Sequence, residues 1–182
     1  MKETLLTVLE NTRLADGIYR LRLAGDTSAI TAPGQFVNLK LSGFFLRRPI
    51  SVCDWENGEV TLIYKVLGHG TEAMTGMAVG TALDVLTGLG NGFDLSRSGE
   101  HPLLVGGGVG IPPLYGLARR LTAQGKRVTA VLGFNRKSEI FLAEEFRALG
   151  AEVVIATADG SVGLKAVSYT HLRAHETLAN LV

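Results

Sequence analysis

Glycine-bearing loops and one arginine pair carry the chemistry that this chain could do. Val105-Gly106-Gly107-Gly108-Val109-Gly110-Ile111-Pro112-Pro113 follows an apolar run and opens a helical pattern. That is the context in which backbone N–H groups can approach a pyrophosphate, and proline near a helix start forfeits no needed donor. No Gly-Lys-Ser/Thr follows, so it is not a Walker loop, and a tight turn packed on a sheet would also explain it. Gly68-His69-Gly70-Thr71 is a second helix start; a hairpin end and an N-cap threonine explain it equally, and His69 reads as a solvated loop histidine. Arg47-Arg48-Pro49-Ile50-Ser51 brings two cations and a hydroxyl into a strand. The planar fork of Arg48 suits a phosphate and the hydroxyl of Ser51 a ring heteroatom, against the alternative of a solvated basic strand end. Gly88-Leu89-Gly90-Asn91-Gly92-Phe93 is either a loop shaped around a ligand or a flexible corner.

The elements that must hold these loops fall into two textures. From Leu5 to about Asp94, short apolar alternation is broken by turn residues, as in Ile18–Leu23 and Phe36–Leu41. Asn57-Gly58 between Ile50–Cys53 and Val60–Tyr64 is a hairpin signal. This half reads as a small antiparallel barrel or sandwich with one helix at Gly70–Thr75. After a polar hinge at Arg97–Glu100, strands at Leu103–Val105, Arg127–Leu132 and Glu152–Thr157 alternate with helices at Pro113–Leu121 and Ser138–Phe146. Gly125 closes the first helix; Ser138 caps and Gly150 stops the second. Strand–helix–strand repetition implies parallel pairing, half of a doubly wound nucleotide-binding sheet of three strands.

Composition narrows the partners. The 182 residues are 46% hydrophobic and 19% charged with a net charge of +1, which leaves no electrostatic footprint for nucleic acid. No apolar run of about 18 residues could span a bilayer, and without a secretory h-region the cytoplasm is the expected location. A single cysteine, Cys53, excludes an internal disulfide and a self-contained four-cysteine iron–sulfur cluster.

In this order the segments resemble the ferredoxin–NADP reductase superfamily, and within it the electron-transfer subunits of NAD-dependent dihydroorotate dehydrogenase B. The motifs are Arg47–Val52, Tyr64–Thr71, Leu89–Phe93, Gly106–Pro113 and Asp159–Lys165, covering residues 1 to about 166. The resemblance implies an FAD-binding antiparallel β-barrel over residues 1–97 and a truncated parallel α/β NAD-binding domain over 101–166. FAD would lie against Arg48, Pro49, Ile50 and Ser51, with Tyr64, Lys65 and Val66 along the flavin and Gly70 and Thr71 at its pyrophosphate. NAD would sit on Gly107, Gly108 and Gly110, with Asp159 and Ser161 toward its far side. No general acid or base is implied, since hydride passes from nicotinamide to flavin. The family also implies onward transfer through a [2Fe–2S] cluster to a dihydroorotate-oxidising catalytic subunit, in a heterotetramer serving pyrimidine biosynthesis. The alternatives are another reductase of the superfamily, passing electrons from NAD(P)H to a different acceptor, or a flavin-binding or docking fragment without activity.

The chain departs from the family after Ala166. The cysteines that would bind the cluster are absent, and residues 167–182 match nothing in the family. They read as translated sequencing-adapter sequence, with a divergent terminal helix as the alternative. His171 and His175 lie four residues apart without further ligands, so no metal site is expected. Arg136 and Lys137 could accept a 2′-phosphate, yet the resemblance favours NADH over NADPH.

Overall fold

The computed structural model describes residues 1–165; the reading of 167–182 and of His171 and His175 lies outside them. Six strands, β1 (Lys2–Ala15), β2 (Ile18–Gly25), β3 (Phe36–Leu39), β4 (Arg48–Glu56), β5 (Glu59–Lys65) and β6 (Ala82–Leu89), close an antiparallel barrel in the order β1-β2-β5-β4-β3-β6. The β4–β5 hairpin turns at Asn57 and Gly58, with φ of 52° and 80°. Two successive left-handed residues match the twist of the flanking strands, which is why asparagine–glycine is favoured there. Alternation on β2 sends Leu21 and Leu23 inward to meet Leu6, Val8, Val37, Leu39, Val52 and Leu62, all buried. A short helix, α1 (His69–Thr75), closes one end by inserting the fully buried Met74.

The second unit is a parallel sheet of β7 (Leu103–Gly107), β8 (Thr129–Phe134), β9 (Glu152–Thr157) and β10 (Leu164–Lys165), ordered β10-β9-β8-β7. Helix α2 (Ile111–Ala123) crosses from β7 to β8, and α3 (Ala143–Ala148) precedes β9. The expected three strands become four because Leu164 and Lys165 pair with Ala156 and Thr157.

The expected helix from Ser138 to Phe146 does not form as one element. A 3₁₀ turn covers Lys137–Glu139, the chain then extends, and Leu142 adopts φ of 62° before α3 begins. The break turns both Phe141 and Leu142 into the core, and Phe141 packs edge-on to Phe134 at 5.6 Å between ring centres. Ser138 caps neither segment; its carbonyl instead accepts a bond from the Asp16 amide at the β1–β2 turn, 3.3 Å.

Helix α2 lies between barrel and sheet. Ile18, Cys53 and Ile63, on the outer face of the barrel, share one apolar cluster with Ile111, Leu117, Leu121 and Phe146. The two units therefore share a core, which keeps the glycine loop before α2 on the side of the barrel formed by β4 and β5.

Candidate functional site

Arg48 and Gly70, 22 positions apart in sequence, meet where β4 begins and α1 starts. A methyl group on Gly70 would lie 2.5 Å from Arg48 Nη2 and 2.6 Å from Cζ, so only glycine lets the guanidinium rest against the helix. Arg48 is steadied by donating to the Leu46 carbonyl at 2.6 Å and by lying 5.1 Å over the Phe44 ring. The first intrahelical bond runs from Glu72 N to Gly68 O, so the amides of His69, Gly70 and Thr71 precede the helical ladder. A guanidinium beside free helix amides is a site for a phosphate group. Thr71 contributes differently from what its hydroxyl suggests: Oγ1 accepts from Leu67 N at 2.9 Å and Gly68 N at 3.2 Å. It holds the turn that presents those amides.

Arg47 turns the other way. It donates to the carboxylate of Asp84 at 2.9 and 3.1 Å and to Glu3 at 2.8 Å, tying the loop before β4 to β6 and β1. This guanidinium holds the Asp84 carboxyl below the usual carboxylate range. The arginine pair thus divides into one structural and one open cation.

Beyond Arg48, Pro49 is exposed and Ser51 half-buried, while Ile50 packs against the barrel core. Ser51 pairs with Phe36 of β3, and its hydroxyl makes no hydrogen bond among the described residues. On β5 the expectation for Tyr64 needs correction. Its ring points into the barrel, 1% exposed, stacks on Tyr19 at 5.7 Å and donates to Asn11 Oδ1 at 3.1 Å. Burial pushes its phenol up to about 12. Asn11 Nδ2 in turn donates to the Met74 carbonyl at 2.7 Å, so Tyr64 steadies α1 from behind and offers no ring to a ligand. Sequence reasoning passed over Asn11 and Phe44; neither lies in a motif. Lys65 faces outward, with Nζ 3.9 Å from Glu139 Oε2, and Val66 donates its amide to Gly17 O at 2.9 Å.

The glycines of the β7–α2 loop have separate causes. A methyl on Gly106 would lie 2.6 Å from Leu114 Cδ1, so this position is closed by packing of strand on helix. Gly108 needs its φ of 51°, with open space above it. Gly110 has neither a positive φ nor any atom within 4 Å of an added Cβ. Its bareness serves no fold requirement and leaves room for something to approach. Gly107 ends β7 between them. This 3₁₀ turn, Gly108–Gly110, packs beside β5, which brings the loop to the same outer surface as Ser51 and Lys65.

At the carboxyl ends of β8 and β9, Arg136, Lys137, Ser138, Asp159 and Ser161 line one open cleft of about 540 Å³. Ser161 Oγ accepts from Lys137 N at 2.9 Å, and Asp159 Oδ1 accepts from Ser161 N at 2.9 Å. The Ser161 hydroxyl and amide hold the Asp159 carboxyl below its usual range. Arg136 is engaged by Glu139 at 3.0 Å. By contrast, the glycines of the 88–93 loop are accounted for by packing. Gly88, Gly90 and Gly92 all have positive φ, and added methyls would meet Ala29, Phe36 and Ala32.

Cys53 is 2% exposed under α2, and desolvation there pushes its thiol far up. Among the described residues no group of three or more His, Cys, Asp or Glu is gathered to hold a metal, and no helix is long and apolar enough to cross a membrane.

No protein-family model matches the chain. It is 46% identical to the electron transfer subunit of dihydroorotate dehydrogenase B (NAD(+)) from Bacillus pumilus, over 91% of this chain and 67% of that one. It is 42% identical to the subunit of the same name from Fusobacterium nucleatum, over 87% and 64%. The chain spans about two thirds of the length of these curated relatives. Among solved structures, an NADH-dependent reduced ferredoxin–NADP oxidoreductase superposes with a TM-score of 0.81 at 30% identity, covering 94% of this chain and 63% of that one. The ferredoxin reductase of carbazole 1,9a-dioxygenase gives 0.82 at 20% identity, covering 95% and 56%, a likeness of fold alone.

Proposed function

The chain belongs to the family of electron-transfer subunits of dihydroorotate dehydrogenase B, and from that membership we propose that it holds FAD on the barrel and NADH on the β7–α2 loop. The observation that carries the reading is the meeting of Arg48 with Gly70, beside an outer β4 face left open at Pro49 and Ser51. Arg48 and the amides of Gly70 and Thr71 bind the FAD pyrophosphate, the contact in which a fork-shaped cation and a helix start act together. Ser51 offers its unengaged hydroxyl to the isoalloxazine edge, and Lys65 with the backbone of Ile50 and Val66 flanks it. Gly107, Gly108 and Gly110 admit the NADH pyrophosphate; Asp159 and Ser161 face its adenosine end.

When bound, FAD supplies the conversion of a two-electron hydride donor into single-electron transfers. The protein's own contribution is proximity and orientation, because hydride transfer asks for no side-chain acid or base. The 3₁₀ turn against β5 sets the reach between the two binding surfaces. The partner in this reading is the dihydroorotate-oxidising catalytic subunit in a heterotetramer, the setting is pyrimidine biosynthesis in the cytoplasm, and neither nucleic acid nor membrane is engaged. The residues present do not fit a [2Fe–2S] cluster: the one cysteine is buried beneath α2 with its thiol held protonated, whereas such a cluster takes four ligands.

Titration of the chain with FAD, followed by anaerobic addition of NADH, tests the reading. A bound-flavin spectrum that NADH bleaches, with binding weakened at least several-fold in Arg48→Ala, is the expected result. A folded protein that leaves FAD free would overturn it.

A further inference from the structure

We propose that Arg119 and Arg120 are positioning residues that lock the NADH loop in register with the flavin strand. This inference rests on the functional reading above. The far end of α2 is clamped to β4 just beyond Ser51. Arg119 donates to Asp54 Oδ2 at 2.6 Å and also bridges to Glu56. Arg120 lies 3.6 Å over the Trp55 ring, donates to the Gly116 carbonyl at 2.9 Å and reaches Asp54 Oδ1 at 3.4 Å. One turn earlier the helix rests on bare strand backbone, since a methyl on Gly116 would lie 2.6 Å from the Cys53 carbonyl oxygen.

Two different forces act at this interface. The apolar cluster around Ile18, Cys53 and Ile63 holds the units together, but the hydrophobic effect is non-directional and selects a register less sharply than charged contacts do. The charged contacts are directional, and the Asp54 side chain is only 18% exposed, so solvent screens them less than an open surface pair. They specify register.

Register matters because α2 is a lever. Arg119 lies nine positions beyond Gly110, which at helical rise is about 13.5 Å. A tilt of about 4° at the clamp therefore moves the glycine loop by about 1 Å, a misplacement that can cost about 10²-fold in rate. Among the described residues, the polar contacts on the opposite side of the interface are the Asp16 amide on Ser138 O at 3.3 Å and ion pairs at 3.9 Å, Arg136–Asp16 and Lys65–Glu139. Those contacts allow a tilt once the clamp is cut.

Trp55 is the single tryptophan of the chain and reports on the clamp through Arg120, whose guanidinium covers its ring. The experiment compares wild type, Arg119→Ala and Arg119→Lys as full chains, reading acrylamide quenching of Trp55, FAD affinity and the rate of flavin bleaching at saturating NADH. Arg119→Ala is expected to open Trp55 to quencher and to keep FAD affinity within about twofold, because Arg119 bonds Asp54 and Glu56 and none of the residues set against FAD. Its limiting bleaching rate should fall about tenfold or more, with much of the loss restored by Arg119→Lys. Unchanged quenching in Arg119→Ala, or an unchanged limiting rate in a variant whose wild type is bleached, overturns the positioning role alone. A wild type that binds no FAD, or whose FAD is not bleached by NADH, overturns the functional reading and the positioning role with it.

Discussion

Replacing Gly70 by alanine separates ligand binding from folding at the phosphate corner. The added methyl would stand 2.5 Å from Arg48 Nη2 and 2.6 Å from Cζ, so the guanidinium must leave. It is the free end of a flexible side chain, and its departure costs the fold little. The cation–π contact with Phe44 is lost, about 0.5–1 kcal/mol, while exchanging glycine for alanine in a helix returns about 0.5–1 kcal/mol. Thermal stability should therefore stay close to wild type. The binding consequence is larger: a charge-assisted hydrogen bond contributes about 1.5–3 kcal/mol, so FAD affinity should fall about 10- to 150-fold. Fluorescence titration of FAD, paired with thermal melting by circular dichroism, measures both. Arg48→Lys should not restore full affinity to the wild-type backbone, because a point charge lacks the fork. Tight FAD binding by a well-folded Gly70→Ala protein would refute the assignment of the pyrophosphate to Arg48 and α1.

Gly110→Ala should leave stability unchanged and weaken NADH use, whereas Gly106→Ala should destabilise by about 1–3 kcal/mol through overpacking on Leu114; urea titration and NADH kinetics on the pair distinguish the two. Asp84 has a folded pKa below its unfolded value, owing first to Arg47. Its contribution is present above the unfolded value and lost as pH falls through the folded one, so Asp84→Asn should lower the melting temperature at neutral pH. The difference from wild type should shrink below about pH 4. Cys53, buried with a raised pKa, should resist a thiol reagent in the native protein and react once denatured, as absorbance of the released reporter would show.

The barrel was legible because period-two alternation and Asn57-Gly58 are local signals that tertiary structure did not override. The same alternation carried less than it seemed on the outer face. Ile18 and Ile63 are apolar because a second unit covers them, which no local pattern distinguishes from strand noise. Ser138–Phe146 failed for the opposite reason: its spacing suits a helix, but burying Phe141 and Leu142 against the sheet required a left-handed break. The site motifs were visible as residues and ambiguous as causes. Gly106, Gly108 and Gly110 look alike in sequence, yet packing, backbone angle and open space account for them in turn. Arg47 and Arg48 are adjacent and identical in type, and only the placement of Asp84 and Gly70 separates the structural arginine from the open one. Asp54, Trp55, Arg119 and Arg120 belong to no motif, and their pairing depends on how α2 lies across β4.

That shared interface bears on whether residues 1–97 can act as a separate flavin-binding barrel. The barrel strands end at Leu89, and a 3₁₀ turn at Leu95–Arg97 leads toward β7. Cutting after this turn would strip α2 and α3 from Ile18, Cys53 and Ile63, which are 2%, 2% and 3% exposed in the intact protein. Burial of such side chains contributes about 1.5–3 kcal/mol each for isoleucine and somewhat less for cysteine, so roughly 4–8 kcal/mol of stabilisation would be absent. Domains are typically stable by only about 5–15 kcal/mol. The isolated barrel should therefore be marginal, expose an apolar stripe along β2, β4 and β5, and bind a hydrophobic dye where the full chain does not. Added FAD should recover part of the loss by mass action, since it binds the folded form. Urea unfolding of the two lengths, with and without FAD, measures this. Equal midpoints without FAD would mean that the interface adds little stability, and the cohesion attributed to the shared core would have to come from the charged contacts of Arg119 and Arg120.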